Sequence, residues 1–208
     1  MTTQTPGPGR LGQHGTTLVE LMIALVAFVL VVTGIFYVWN YSQRAYFQGA
    51  EAADLQQNVR AALEQMTREI RQAGYDPCRY QTCPGGASAF APVHAGVLPI
   101  QAYSATSLWI RADRNADGDA DDADESVCFY VDGAGVLRRK TTGGDCSSGG
   151  EELARNISMT LTYLTALGAP AASWSDIKLV RIALTGQELF MGTPLKVILQ
   201  SDVYLRDR

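Results

Sequence analysis

Seven of the chain's 21 acidic residues fall within residues 113–125, at a spacing suited to holding a cation. Residues 113–124 read DRNADGDADDAD. Calcium loops place oxygen donors at alternate positions around a glycine turn and close with a terminal acid. Asp113, Asn115 and Asp117 fill the first three donor positions, and Gly118 stands where the chain must turn sharply. Asp119 would give its backbone carbonyl, Asp121 would act through a water, and Asp124 would close the set where a longer Glu is usual, with Glu125 adjacent. Calcium takes about six to eight hard oxygen ligands, and clustered carboxylates repel one another without a cation. The expectation is a structural Ca2+ held by these residues. The competing reading is a solvated acidic loop between strands, because the flanks SLWIRA and SVCFYV lack the helical pattern of an EF-hand.

A second chemical signal is a lone carboxylate in apolar surroundings. Residues 21–39, LMIALVAFVLVVTGIFYVW, run for 19 residues without a charge. About 20 such residues suffice to cross a bilayer as a helix. Glu20 stands at the start of this run, and an acid within a spanning helix calls for a counter-charge. Cleavage after Gly15 would supply one: Thr16 would become a new amino terminus, with Glu20 the fifth residue of the mature chain. That amine, its own or a neighbouring subunit's, would neutralise the acid and set the register between stacked helices. The residues before it, MTTQTPGPGRLGQHG, contain no acid, and no small-residue cleavage pattern follows the apolar run.

The elements that position these groups are legible in the periodicity. Beyond the span, Leu55, Val59, Ala62, Leu63, Met66, Ile70 and Ala73 recur at steps of three and four, which is one apolar face of a helix. Gly74 and Pro77 stop it. A continuous helix over 17–73 would be about 85 Å long, with Gly34 and Gly49 as places to bend. Strand character follows at 107–112, 126–132, 136–140, 158–165, 177–185 and 195–205, with a turn beginning at Asp132-Gly133. The expected fold is α+β: one long N-terminal helix packed on a mainly antiparallel sheet. The divisions are 1–15 leader, 16–40 membrane or filament-core half, 41–74 amphipathic half, and 75–208 globular head.

GTTLVELMIAL resembles the prepilin cleavage and methylation motif of type IV pilins and type II secretion pseudopilins. The resemblance implies a prepilin peptidase that cuts after Gly15 and methylates Thr16, with Glu20 as the assembly acid. Thr16 departs from the phenylalanine usual at that position. Further along, REIRQAGYDP at 68–77, the acidic segment with its flanking strands, and the terminal SDVYLRDR are similar to PilW-type minor pilins and the related J-type pseudopilins. The implied role is a non-catalytic subunit that helps to prime or tip a type IV pilus. Implied partners are other minor pilins, the major pilin and the inner-membrane assembly platform. The implied location is the bacterial inner membrane, head in the periplasm, and then the pilus surface. A J-like pseudopilin of a secretion system shares all of this chemistry. A membrane-anchored calcium-binding adhesion module is the rival from another class.

Four cysteines, Cys78, Cys83, Cys128 and Cys146, allow three pairings. With a head outside the cytoplasm, disulfides are expected, and the local pairs Cys78–Cys83 and Cys128–Cys146 are favoured over the other two arrangements. The spacing fits neither a CxxC redox site nor a zinc pattern. The net charge is only −4, and no dense Lys/Arg stripe suits nucleic acid, so none is expected as a partner. An enzyme is not expected either. His94 is the one histidine after Gly15 and has no nucleophile turn beside it, while GPGRLG at 7–12 precedes no strand–helix unit. Asn156-Ile157-Ser158 fits the N-glycosylation pattern, which short sequences meet by chance.

Overall fold

The structure is a computed structural model that describes residues 16–79, 99–122, 124–141 and 146–205. One helix, α1 (Leu18–Ile70), runs uninterrupted through Gly34 and Gly49. The chain divides into two units, Met1–Phe47 and Gln48–Arg208.

In the first unit the helix is apolar on all sides, and none of its most apolar window is buried. Leu21, Phe28, Ile35 and Trp39 are each about three-fifths exposed or more. By length and composition this helix can cross a membrane. Its polar side chains fold back onto its own backbone: Thr33 Oγ1 donates to Val29 O at 2.8 Å, and Asn40 Nδ2 to Phe36 O at 2.9 Å. Those groups carry their hydrogen bonds with them into an apolar phase.

In the second unit α1 becomes one-sided. Leu55, Val59, Ala62, Leu63, Met66 and Ile70 are buried, as their spacing predicts. The last turn tightens, with Gln72 and Ala73 N–H donating to the carbonyls of Glu69 and Ile70. Gly74 then takes a left-handed φ of 77° and sends its N–H to Arg111 O at 2.9 Å.

Among the described residues, eight strands make two antiparallel sheets rather than one. The first contains β1 (Ile100–Tyr103), β2 (Ser107–Arg111), β3 (Ser126–Val131), β4 (Leu137–Lys140) and β5 (Glu151–Ala154), paired in chain order. The second contains β6 (Ile157–Leu164), β7 (Leu179–Phe190) and β8 (Thr193–Tyr204). The sequence pattern shows six of these strands and misses β1 and β5, which are four residues each. The turn at Asp132 forms as expected: Asp132 Oδ1 accepts the N–H groups of Ala134 and Val136.

The apolar face of α1 packs on both sheets in one core that includes Leu108, Phe129, Leu137, Met159, Ile182 and Leu184. Gly186 of β7 lets the helix approach closely, since a Cβ there would stand 2.7 Å from Val59 Cγ2. Toward the helix end, Glu69 Oε1 accepts from Arg139 Nε of β4 at 2.7 Å, an ion pair about nine-tenths buried on both sides. Cys128 of β3 is joined to Cys146, the expected local pairing. Cys78 is also disulfide-bonded, whereas Cys83 lies outside the described residues.

Candidate functional site

The chemistry-bearing residues fall in two places. The first is the start of α1. Thr17 precedes the helix, and its Oγ1 accepts the Glu20 N–H at 3.3 Å. Thr17 and Glu20 thus stand at the N-cap and third helical positions, the spacing of a capping box. Glu20 is therefore in the first helical turn, close to the positive end of the helix dipole, rather than deep in the apolar stretch. The location favours a negative charge and also puts it within a few residues of Thr16. Glu20 is exposed and is the one charged side chain between Thr16 and Gln43. Gly15 lies outside the described residues.

The second place is the connection from β2 to β3. Residues 113–122 form a series of tight turns closed by their own side chains. Asp113 Oδ1 accepts the N–H of Ala116 at 2.7 Å, and its Oδ2 that of Gly118 at 3.2 Å. Asn115 Oδ1 then accepts from Asp117, Asp117 Oδ1 from Asp119, and Asp119 Oδ1 from Asp121. Asn115, Asp117 and Asp119 each cap the backbone two residues on, while Asp113 reaches three and five residues ahead, which is why alternating Asp and Asn make this conformation. Gly118 takes a φ of 96°, the sharp turn expected of it.

Not all of the predicted ligands converge. Asp113 is fully buried, and it meets Asp117 and Glu125 with carboxylate oxygens within 4.8 Å of one another. Asp121 turns to Arg111, its Oδ1 accepting from Nη1 at 2.7 Å. Asp124, the predicted closing ligand, is exposed and lies 3.8 Å from Arg139 Nη2. Glu125 occupies the inner position, one residue later, because it begins the turn into β3. Its Oε1 accepts the N–H groups of Arg114 and Asn115 at 2.8 and 3.1 Å. Asp119, Asp117 and Asp122 make a second, wholly exposed carboxylate group.

The electrostatics separate inner from outer acids. Burial raises the pKa of both Asp113 and Glu125; backbone N–H groups oppose the rise, and the charge of Asp117 adds to it. The pKa of Asp117 itself is lowered, chiefly by the Asp119 N–H and then by Asn115. Asp76 and Cys78 also border Asp113, with Cys78 Sγ 3.5 Å from Asp113 Oδ2, but a disulfide sulfur is no thiolate ligand. His94 lies outside the described residues.

A family model described as PpdB, prepilin peptidase-dependent protein B, matches residues 48–200, which takes in the amphipathic half of α1 and nearly all of both sheets. No curated protein and no solved structure matches the chain.

Proposed function

The chain belongs to the prepilin peptidase-dependent protein B family of pilin-like proteins, and from that premise we propose that it is a minor pilin that helps to start or cap a type IV pilus. It is made as a prepilin, anchored by the apolar half of α1, cut after Gly15 and methylated at Thr16. It then joins other minor pilins and the major pilin on the inner-membrane assembly platform. Its head begins in the periplasm and ends on the fibre surface.

One observation carries this reading: Glu20 is the only charge in the apolar, membrane-length stretch of α1 that ends before Gln43, and it sits in the first turn. A simple anchor gains from this acid at most the modest first-turn stabilisation that any helix start offers, and insertion of an acid into lipid is unfavourable. A subunit that leaves lipid for a helical core does gain, because Glu20 meets the new amino terminus of an adjoining subunit in a water-poor setting. The family match supports the peptidase step independently, since it rests on residues 48–200 and not on the cleavage motif. The mechanism is packing: apolar helices bury one another and the heads face outward. No step requires catalysis.

Mass spectrometry of the native N-terminus, in cells with and without prepilin peptidase, tests the proposal. The expected mature chain begins at Thr16 only when the peptidase is present. An intact Met1, or a cut beyond Trp39, would overturn it.

A further inference from the structure

We propose that Asp113, Asp117 and Glu125 hold a structural calcium ion, with Glu125 rather than Asp124 as the closing carboxylate. The acidic cluster alone does not carry this assignment; Glu125 does. Its side chain is only 3 % exposed, and its Oε2 is buried and accepts no hydrogen bond among the described residues. A buried carboxylate oxygen without a donor is costly and calls for a partner. The Glu125 carboxylate stands with those of Asp113 and Asp117, one oxygen from each lying within 4.8 Å of the others. No Lys or Arg ion pair reaches these three acids among the described residues; Arg111 is taken by Asp121, and Arg139 by Glu69. Three carboxylates grouped this closely, one of them nearly fully buried with an oxygen that no donor satisfies, make a cation site by charge and by burial.

The donor set selects the ion. All of the ligands are hard oxygens, and no histidine or free thiolate adjoins them among the described residues, which disfavours zinc and copper. A strained loop offering several carboxylates suits the larger, irregular shell of calcium better than the strict octahedron of magnesium. The ion would fasten three segments at one point. Asp113 follows β2 and bonds through its N–H to Tyr75 O after the helix, while Glu125 leads into β3 and gives its carbonyl to Ala112. Its role is thus to lock the head, and the site is independent of the cleavage and Glu20 chemistry.

The test uses the full chain in detergent, stripped with a chelator and titrated with calcium chloride by calorimetry, with thermal unfolding in calcium or magnesium. One calcium per chain is expected, with a dissociation constant of about 1 mM or tighter, as in extracellular modules. Glu125→Gln and Asp117→Asn should each weaken binding by at least about tenfold. Asp124→Asn should change it by less than about threefold, as expected of an outlying screened charge. Asp117 is less buried than Glu125, so its variant tests the site even if Glu125→Gln does not fold. Absence of saturable binding at about 10 mM calcium, equal stabilisation by magnesium, or dependence on Asp124 instead of Glu125 would each overturn the assignment.

Discussion

Arg139 of β4 reaches across to Glu69 near the end of α1, and its guanidinium is the point where helix, first sheet and acidic segment meet. Its Nε donates to Glu69 Oε1 at 2.7 Å, while Nη2 and Nη1 lie 3.8 and 3.9 Å from the carboxylates of Asp124 and Glu151. Glu69 Oε2 is buried with no further hydrogen bond among the described residues, so the arginine is the acid's main compensation.

Arg139→Ala should therefore cost about 3–5 kcal/mol, because it leaves a buried carboxylate unpaired. Replacing both partners, Glu69→Leu with Arg139→Met, should restore most of that loss, since an apolar pair needs no compensation. Thermal and urea unfolding of the two variants check this. A double variant as unstable as the single one would contradict it.

The contact between Gly186 and Val59 sets how closely α1 lies on β7. Gly186→Ala should destabilise the head by about 1–3 kcal/mol through overpacking, because its Cβ would stand 2.7 Å from Val59 Cγ2. Val59→Ala on that background should recover part of the loss although it is destabilising alone. Additive effects in the four-member cycle would show that the helix moves freely instead.

Reducing the Cys128–Cys146 bond, or replacing both cysteines by serine, should cost about 2–4 kcal/mol by loosening the unfolded chain. The sequence separation is 18. The loss should show as a lower unfolding temperature in reducing buffer, and the serine variant should no longer respond to reductant at that bond.

Asp132 gives a pH dependence of defined sign. Its carboxyl is held below the ordinary aspartate range, first by the Arg138 side chain and then by the Val136 and Ala134 N–H groups. A lowered native pKa means stabilisation that is fully present above the unfolded value of about 4 and is lost as pH falls through the native one. Asp132→Asn keeps the turn acceptor but loses the charge. The stability advantage of the wild type over this variant should hold from neutral pH to about 4 and shrink below it. An advantage that grew on acidification would refute the assignment.

Glu20→Ala should leave the protein in the membrane, and its apolar helix should insert at least as well as before. Incorporation into the fibre should fall, measured by the subunit's abundance in sheared filaments against the membrane fraction. Unchanged incorporation would remove the role given to this acid.

Periodicity determined much of this protein before any coordinates. An apolar run of membrane length, a one-sided face from Leu55 to Ile70 and six segments of strand character, several of them alternating, need only local patterns, because helix and strand periods are properties of neighbouring residues. The acid at Glu20 and the turn-forming spacing of Asp113, Asn115 and Asp117 were equally local. The tertiary structure decided what depends on distant partners. It split the strands between two sheets and paired Arg139 with Glu69. It also exchanged Asp124 for Glu125 at the inner position of the acidic segment, a one-residue shift that the loop pattern does not encode. The side chain aimed inward is set by where β3 enters the sheet, and that entry is fixed by Phe129, Val127 and the core they join, not by the loop itself.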